Sequence, residues 1–241
     1  MQDHSAAQAL LDAFGRILVI NLPDRADRRR GIDAELRKAG LSLDHPQVHL
    51  FPAIRPEGPA GFPTIGAHGA FRSHMAVMER MLSEGWDTLL VLEDDMAFAP
   101  GAVARLPALA QALASRDWAM LYGHPGEEPA SAPDAGGLIA LPPDLGLIQL
   151  HFLGLTAQAA RTALPELREM LTRPEGSPEG GPMHVDGALN WVRGKHHGLL
   201  ALATAPAIAT QRASRSDIAP PPWFDRVPVL RDLATTLRRW R

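Results

Sequence analysis

The stretch TLLVLEDDMAF, Thr88 to Phe98, carries four apolar residues, Leu89 to Leu92, into three consecutive acids, Glu93, Asp94 and Asp95. Carboxylates this close raise one another's pKa unless a positive charge holds them, and a divalent ion is the strongest local remedy. The chain has no cysteine, so a metal here sits on oxygen or imidazole, which points to Mg2+ or Mn2+ rather than Zn2+. For the triplet alone, a solvated acidic turn or a helix N-cap is an equal alternative. The apolar run before it tips the balance toward metal. Such a run reads as a buried parallel strand, and ligands of parallel sheets bind beyond the carboxyl ends of the strands. If extended geometry continues, Glu93 and Asp95 share one face as the metal-side pair and Asp94 faces the other.

A second cluster lies in NLPDRADRRR, where Arg25, Arg28 and Arg29 crowd the first turn of an expected helix. The helix dipole already supplies positive potential there, so cations are disfavoured and an anion would relieve the conflict. Backbone N–H groups at a helix start together with arginine forks form a phosphate site. The plainer alternative is that these arginines face solvent and pair with Asp24, Asp27 and Asp33. A hard-metal site at one strand end and a phosphate site at another suggest a metal-bridged diphosphate, as in a nucleoside diphosphate. Neither GxxxxGK[ST] nor GxGxxG occurs in the chain.

The elements that must position these residues follow from periodicity. RILVINL, Arg16 to Leu22, reads as a buried first strand, and PDRADRRRGIDAELRKAGL as a helix stopped by Gly40. VHLFPAI is a candidate second strand. GAFRSHMAVMERMLSEGW places Phe71, His74, Met75, Met78 and Met81 along one side of a helix starting at Gly69, and DTLLVLEDD follows as a strand. In PGAVARLPALAQALAS, Pro107 is expected to break or restart the helix. DWAMLYG and GLIQLHFLGL read as strands, Thr156 as the N-cap of AQAARTALPELREMLTR, HVDGALNWVRGK as a short helix and GLLALATAPAIAT as one or two strands. Alternating strands and helices argue for an α/β fold with a mainly parallel sheet covered by helices.

With 241 residues the chain fits one such domain, and 46% apolar and 21% charged residues are ordinary for a globular protein. A net charge of -3 gives no reason to expect nucleic acid as a partner. The N-terminal segment lacks the basic and apolar regions of a secretory signal, and GLLALATAPAIAT is too short to span a bilayer and contains Pro206. Absence of cysteine suits a reducing compartment, so the expected location is cytoplasmic.

VINLPDRADRR, IGAHGAFRSH and TLLVLEDDMAF, in this order and spacing, resemble glycosyltransferase family 25, which includes bacterial lipopolysaccharide or lipooligosaccharide galactosyltransferases and collagen galactosyltransferases. The likeness is clear over the first hundred residues and continues weakly through HVDGAL and QRASRSDI. It implies a GT-A type fold, a nucleotide-binding α/β sandwich, and an inverting, metal-dependent transfer of a hexose, galactose or glucose, from a UDP-sugar to a saccharide acceptor such as lipopolysaccharide. In this reading residues 1–241 are one domain, with a nucleotide-binding half (16–123), an acceptor and lid half (124–226) and a C-terminal basic amphipathic helix (227–241). Asn21, Leu22, Arg25 and Arg28 match the first motif, Gly69, Ser73 and His74 the second, and Glu93, Asp94 and Asp95 the acidic one. The second motif departs from the family pattern, with Ala67, His68 and Ala70 where an acid, an aliphatic residue and a cysteine are usual. His68 and Arg72 lie one turn apart and could face the same cleft.

The resemblance assigns Glu93 and Asp95 to Mn2+ or Mg2+ and leaves Asp94 to the sugar or a structural hydrogen bond. Asp186 in HVDGALNW is the candidate general base, with a helix N-cap as its alternative role, and Asp217 in SRSDI is the second candidate. His184 and Gln211 are further contacts to metal or phosphate. The C-terminal VPVLRDLATTLRRWR can lie on an anionic membrane surface, at its inner face, where a lipid-linked acceptor is found; docking on its own core is the alternative. Two other functions stay open: a non-catalytic sugar-nucleotide or glycan binding module, and a metal-dependent phosphohydrolase.

Overall fold

The structure, a computed structural model, describes residues 5–124 and 132–212. The chain opens with a helix that periodicity did not single out, α1 (Ala6–Phe14), capped by the Ser5 hydroxyl and burying Ala9, Leu10 and Phe14. β1 (Ile17–Asn21) is buried along its whole length. α2 (Ala26–Lys38) buries Ile32 and Leu36, and Gly40 just beyond it takes a left-handed φ of 80°. β2 (Val48–Pro52) follows as an edge strand.

α3 (Ile65–Ser83) starts four residues before the expected Gly69, because the Thr64 hydroxyl accepts from the Ala67 N–H and caps the helix there. β3 (Thr88–Glu93) and β4 (Met96–Phe98) come next, joined by a turn at Asp94 and Asp95. α4 (Ala102–Ala114) runs unbroken through Pro107, contrary to expectation. One missing N–H is tolerated there because Leu106, Leu109 and Leu113 are held in the core on both sides of the proline. β5 (Met120–Tyr122) and β6 (Leu138–Leu141) are short. β7 (Phe152–Thr156) occupies only the last part of the expected GLIQLHFLGL strand. Before it Gln149 has a φ of 75° and Leu147 is hydrogen-bonded through both backbone groups to the Asn190 amide, so that segment cannot join the ladder. α5 (Ala157–Met170), α6 (Val185–Lys195), β8 (Ala201–Thr204) and β9 (Ala209–Gln211) complete the described chain.

Seven strands form one sheet in the order β2-β1-β3-β7-β5-β8-β6, and β4 pairs with β9 in a separate antiparallel ribbon. The pairings give β2, β1, β3, β5 and β8 one direction, with β7 and β6 opposed, so the sheet is mainly parallel as expected. Both faces are covered. Leu18, Val91 and Leu153 pack under α3, α5 and α6, while Val19, Leu90 and Leu92 pack under α1, α2 and α4. Burial on both faces is the reason β1 and β3 are continuous apolar runs rather than alternating ones. Strands from both halves of the sequence interleave in this one sheet, β7 lying between β3 and β5.

α3 docks on the chain beyond β2 through a glycine and a serine one turn apart. A Cβ on Gly69 would stand 2.5 Å from the Ile54 carbonyl oxygen. The fully buried Ser73 hydroxyl donates to the Gly69 carbonyl (2.7 Å) and accepts from the Ile54 N–H (2.8 Å). Gly69→Ala should therefore destabilise the protein by roughly 1–3 kcal/mol in urea unfolding, because overpacking against backbone outweighs the helix propensity that alanine adds. An unchanged or raised midpoint would contradict this account of the close approach.

Candidate active site at the carboxyl end of the sheet

A cavity of about 420 Å3 opens where β1 and β3 end. Ile20, Leu22 and Arg28 form one wall, Ala53 to Pro56 a second, the start of α3 from Ile65 to His74 a third, and Glu93, Asp94, Asp95 and Gln211 the floor. Its walls are apolar toward Ile54, Pro56 and Ile65 and strongly acidic at the β3 end.

The acidic corner differs from a continued strand. β3 stops at Glu93, and Asp94 and Asp95 form the turn into β4. Asp94 consequently does not face away: all three carboxylates border the cavity. The Arg28 Nη1 donates to Asp94 Oδ1 at 2.9 Å and lies 3.5 Å from Asp95 Oδ2. Asn21 Nδ2 donates to Asp94 Oδ2 at 2.7 Å, which makes Asp94 the structurally hydrogen-bonded member of the triplet. Gln211, at the end of β9, donates from Nε2 to Asp95 Oδ2 at 3.0 Å, and the Arg212 N–H and guanidinium hold the carbonyls of Asp95 and Asp94. Asp95 Oδ1 is buried with no partner among the described residues. Burial, then the charges of Glu93 and Asp94, push the Asp95 carboxyl up to about 6 against the pull of Gln211 and Arg28.

Glu93 continues the face of Leu89 and Val91 and reaches His74 on α3, whose Nε2 lies 3.3 Å from Glu93 Oε1. Burial opposes ionisation of Glu93, but the His74 hydrogen bond and the charges of His74, His151 and Arg28 outweigh it and lower its pKa. Across the antiparallel pair, the Glu93 N–H donates to the His151 carbonyl at 3.2 Å, and the His124 ring lies 6.1 Å from that of His151. Burial lowers the pKa of His151, and His124 adds to the effect. A row of Glu93, His151 and His124 thus crosses the ends of β3, β7 and β5. Strand register alone creates it, and two isolated histidines carry no motif that could reveal it.

The remaining expected residues are placed as follows. Arg25 precedes α2 and pairs with Asp27 at 3.0 Å, holding that carboxyl down to about 2. Arg29 donates to Asn21 Oδ1 and to the Pro23 carbonyl. The arginine-crowded helix start is thus answered by the protein's own acids and carbonyls, and only Arg28 of the three lines the cavity. Gly69, Ser73 and His74 all line it, the first two while fastening α3 to Ile54. His68 does not join Arg72 in the cleft: its Nδ1 meets the Gly58 carbonyl at 2.9 Å and its ring stacks on Phe62, whereas Arg72 is exposed. Asp186 lies in the first turn of α6, two residues past the N-cap position held by His184, and is not among the residues that line the cavity. Asp217 and residues 227–241 lie outside the described residues. Ile54, Arg55, Pro56, Ile65 and Gly66 were not singled out from sequence, since they join the cavity only through the docking of α3 on the β2 exit.

Among the described residues no three Asp, Glu or His side chains converge closely enough to hold a metal by themselves. The donor set nevertheless fits a hard cation in part. Asp95 lines the cavity and has a buried oxygen without a partner among the described residues, and burial followed by the charges of Glu93 and Asp94 raises its pKa despite Gln211 and Arg28.

No family model matches the chain, and no curated protein does. Among solved structures it is similar to a glycosyltransferase involved in the glycosylation of the major capsid of PBCV-1, at 11% identity over 83% of this chain and 93% of that one, with a TM-score of 0.46. A197 from STIV matches at 10% identity over 86% of this chain and 98% of its own, with a TM-score of 0.38. Mannose-1-phosphate geranyltransferase from Thermus thermophilus matches at 17% identity over 89% of this chain and 63% of its own, with a TM-score of 0.33. All three scores lie below 0.5, and no property of these proteins carries over on that basis. No helix among the described residues is long and apolar enough to cross a membrane.

The raised pKa of Asp95 has a signed consequence. In metal-free protein the folded chain binds this proton more tightly than the unfolded one, so the stability it contributes is full below about pH 4 and is lost as pH rises through about 6. The difference between wild type and Asp95→Asn in urea unfolding should change by on the order of 3 kcal/mol across that window. A pH-independent difference would remove the assignment.

Proposed function

We propose that the protein is a glycosyltransferase of the family 25 type with a GT-A fold, moving a hexose, galactose or glucose, from a UDP-sugar to a saccharide acceptor such as lipopolysaccharide. The observation that carries the reading is a single cavity that joins an apolar slot to a buried acidic corner containing one guanidinium. That combination matches a nucleobase at one end and a metal-bridged diphosphate at the other.

The slot between Ile54, Pro56 and Ile65 takes the base and keeps water from one side of it. Arg28 faces the diphosphate and stabilises charge as UDP departs. Mn2+ or Mg2+, held by Asp95 and Glu93, supplies further positive charge against the leaving group when bound. His74 keeps Glu93 ionised and fixed in orientation, and Asn21 does the same for the position of Asp94. Asp186 is the proposed general base that takes the proton of the acceptor hydroxyl in an inverting displacement, with Asp217 the second candidate. Because Asp186 lies on the first turn of α6 and outside the cavity lining, the acceptor is expected to enter from the α6 side. A lipid-linked acceptor would be met at the inner membrane face, with residues 227–241 as the peripheral contact.

Titration calorimetry of UDP with and without Mn2+ tests the donor site. Binding should require the ion, and Asp95→Ala should weaken it at least tenfold; metal-independent binding of equal strength removes the metal from the reading. For the base, Asp186→Asn should bind UDP normally and lose transfer by roughly 10^2–10^4-fold. Retained transfer rules Asp186 out.

A further inference from the structure

Arg28 lies against the acidic corner and lines the cavity. Its Nη1 lies 2.9 Å from Asp94 Oδ1 and 3.5 Å from Asp95 Oδ2, and its side chain is only 13% exposed. Asp94 has both oxygens engaged, one by Arg28 and one by Asn21. Asp95, which borders the cavity, has one oxygen shared between Gln211 and Arg28, while its Oδ1 is buried without a partner among the described residues. A divalent ion on Asp95 Oδ1 would therefore sit within a few ångströms of a guanidinium in a poorly hydrated corner, where like charges repel strongly.

We infer that Arg28 is a resident counter-ion that competes with the divalent cation for Asp95, and that it turns to the diphosphate when the donor binds. Metal and nucleotide then strengthen each other through this side chain as well as through their direct contact. The inference rests on the nucleotide-sugar reading above. Three features give it direction. The guanidinium fork matches phosphate oxygens in two-point geometry, so the diphosphate is a better partner than one carboxylate oxygen at 3.5 Å. Arg28 lies on the first turn of α2, which borders the cavity, so its head can reach a ligand there without the helix moving. Withdrawal of its charge leaves Asp95 with the neutral Gln211 amide as its side-chain partner, in a corner that then needs a cation. Linkage requires the effect to be mutual: if UDP tightens the metal, the metal tightens UDP by the same factor.

Competition also reassigns the roles within the triplet. Asp94 is saturated by Asn21 and Arg28 and anchors the guanidinium in the ligand-free protein. Asp95 is the residue whose free oxygen receives the ion.

The test is direct Mn2+ binding, followed by the electron paramagnetic resonance signal of free Mn2+, for wild type, Arg28→Gln and Arg28→Lys, each alone and with saturating UDP. Wild type should bind Mn2+ weakly alone and roughly tenfold or more tightly with UDP, within the usual span of coupling between two sites. Arg28→Gln should bind Mn2+ alone roughly tenfold more tightly than wild type, and UDP should add a smaller further gain than it does in wild type. Arg28→Lys, which keeps the charge but lacks the fork, should bind Mn2+ alone as weakly as wild type and show reduced coupling. Adding Asp95→Asn to Arg28→Gln should abolish the tight Mn2+ binding. The inference is overturned if Arg28→Gln binds Mn2+ no better than wild type, if UDP tightens Mn2+ in it by the full wild-type factor, or if the tight site persists with Asp95→Asn. Thermal melts of each variant establish folding; if the Gln variant fails to fold, full UDP coupling in Arg28→Lys overturns the inference. If wild type binds Mn2+ but not UDP, the nucleotide-sugar reading fails, and the metal-only comparison still decides the competition.

Discussion

Three carboxylates on consecutive residues at the end of a buried strand repel one another, and the fold must hold them where water can screen them only in part. Much of the carboxyl edge of the sheet is arranged to do so. Arg28 reaches down from α2, Asn21 from the end of β1, His74 from α3, Gln211 and Arg212 from the end of β9. Four separate segments thus converge on one tight turn. The same turn also begins β4, whose Phe98 N–H is taken by the buried Glu35 carboxylate of α2. The helix carrying the counter-charge is therefore tied to the strand that follows the acids as well as to the acids themselves.

The corner is not fully neutralised. Asp94 is satisfied, Glu93 is held ionised by imidazole, and Asp95 is left with a raised proton affinity and an idle oxygen. A site that exists only to be stable would pair every buried oxygen, since an unpartnered one costs on the order of 1–3 kcal/mol. The apolar slot beside it depends on a different constraint. Gly69 lets α3 approach the Ile54 carbonyl closely, and Ser73 joins the two segments. Motif residues that read as ligand contacts are thus also the fasteners that give the cavity its third wall.

Legibility from sequence followed the range of the interactions. The apolar runs of β1 and β3, the helical spacing of α2 and the glycine stop at Gly40 are local, and their elements appear where periodicity put them. The misplacements have local competitors that periodicity ignores. Thr64 capped α3 early, Pro107 was carried within a packed helix, and Asn190 pinned Leu147 so that β7 could not start at Gly146. The division of the acids between two faces failed for the same kind of reason. Alternation holds only while the strand lasts, and β3 ends at Glu93.

The sequence by itself determined that a buried strand delivers three acids to the carboxyl edge of an α/β sheet, because the apolar run and the acid triplet are contiguous. It also determined that the available counter-charges were arginines and histidines. Tertiary structure alone decided which of them answered. Arg28 rather than Arg25 or Arg29 meets the acids because the helical turn aims only one of the three across β1 toward β3. His151 and His124 join the row because β7 enters antiparallel between β3 and β5, a pairing set by long-range register and by no local residue pattern.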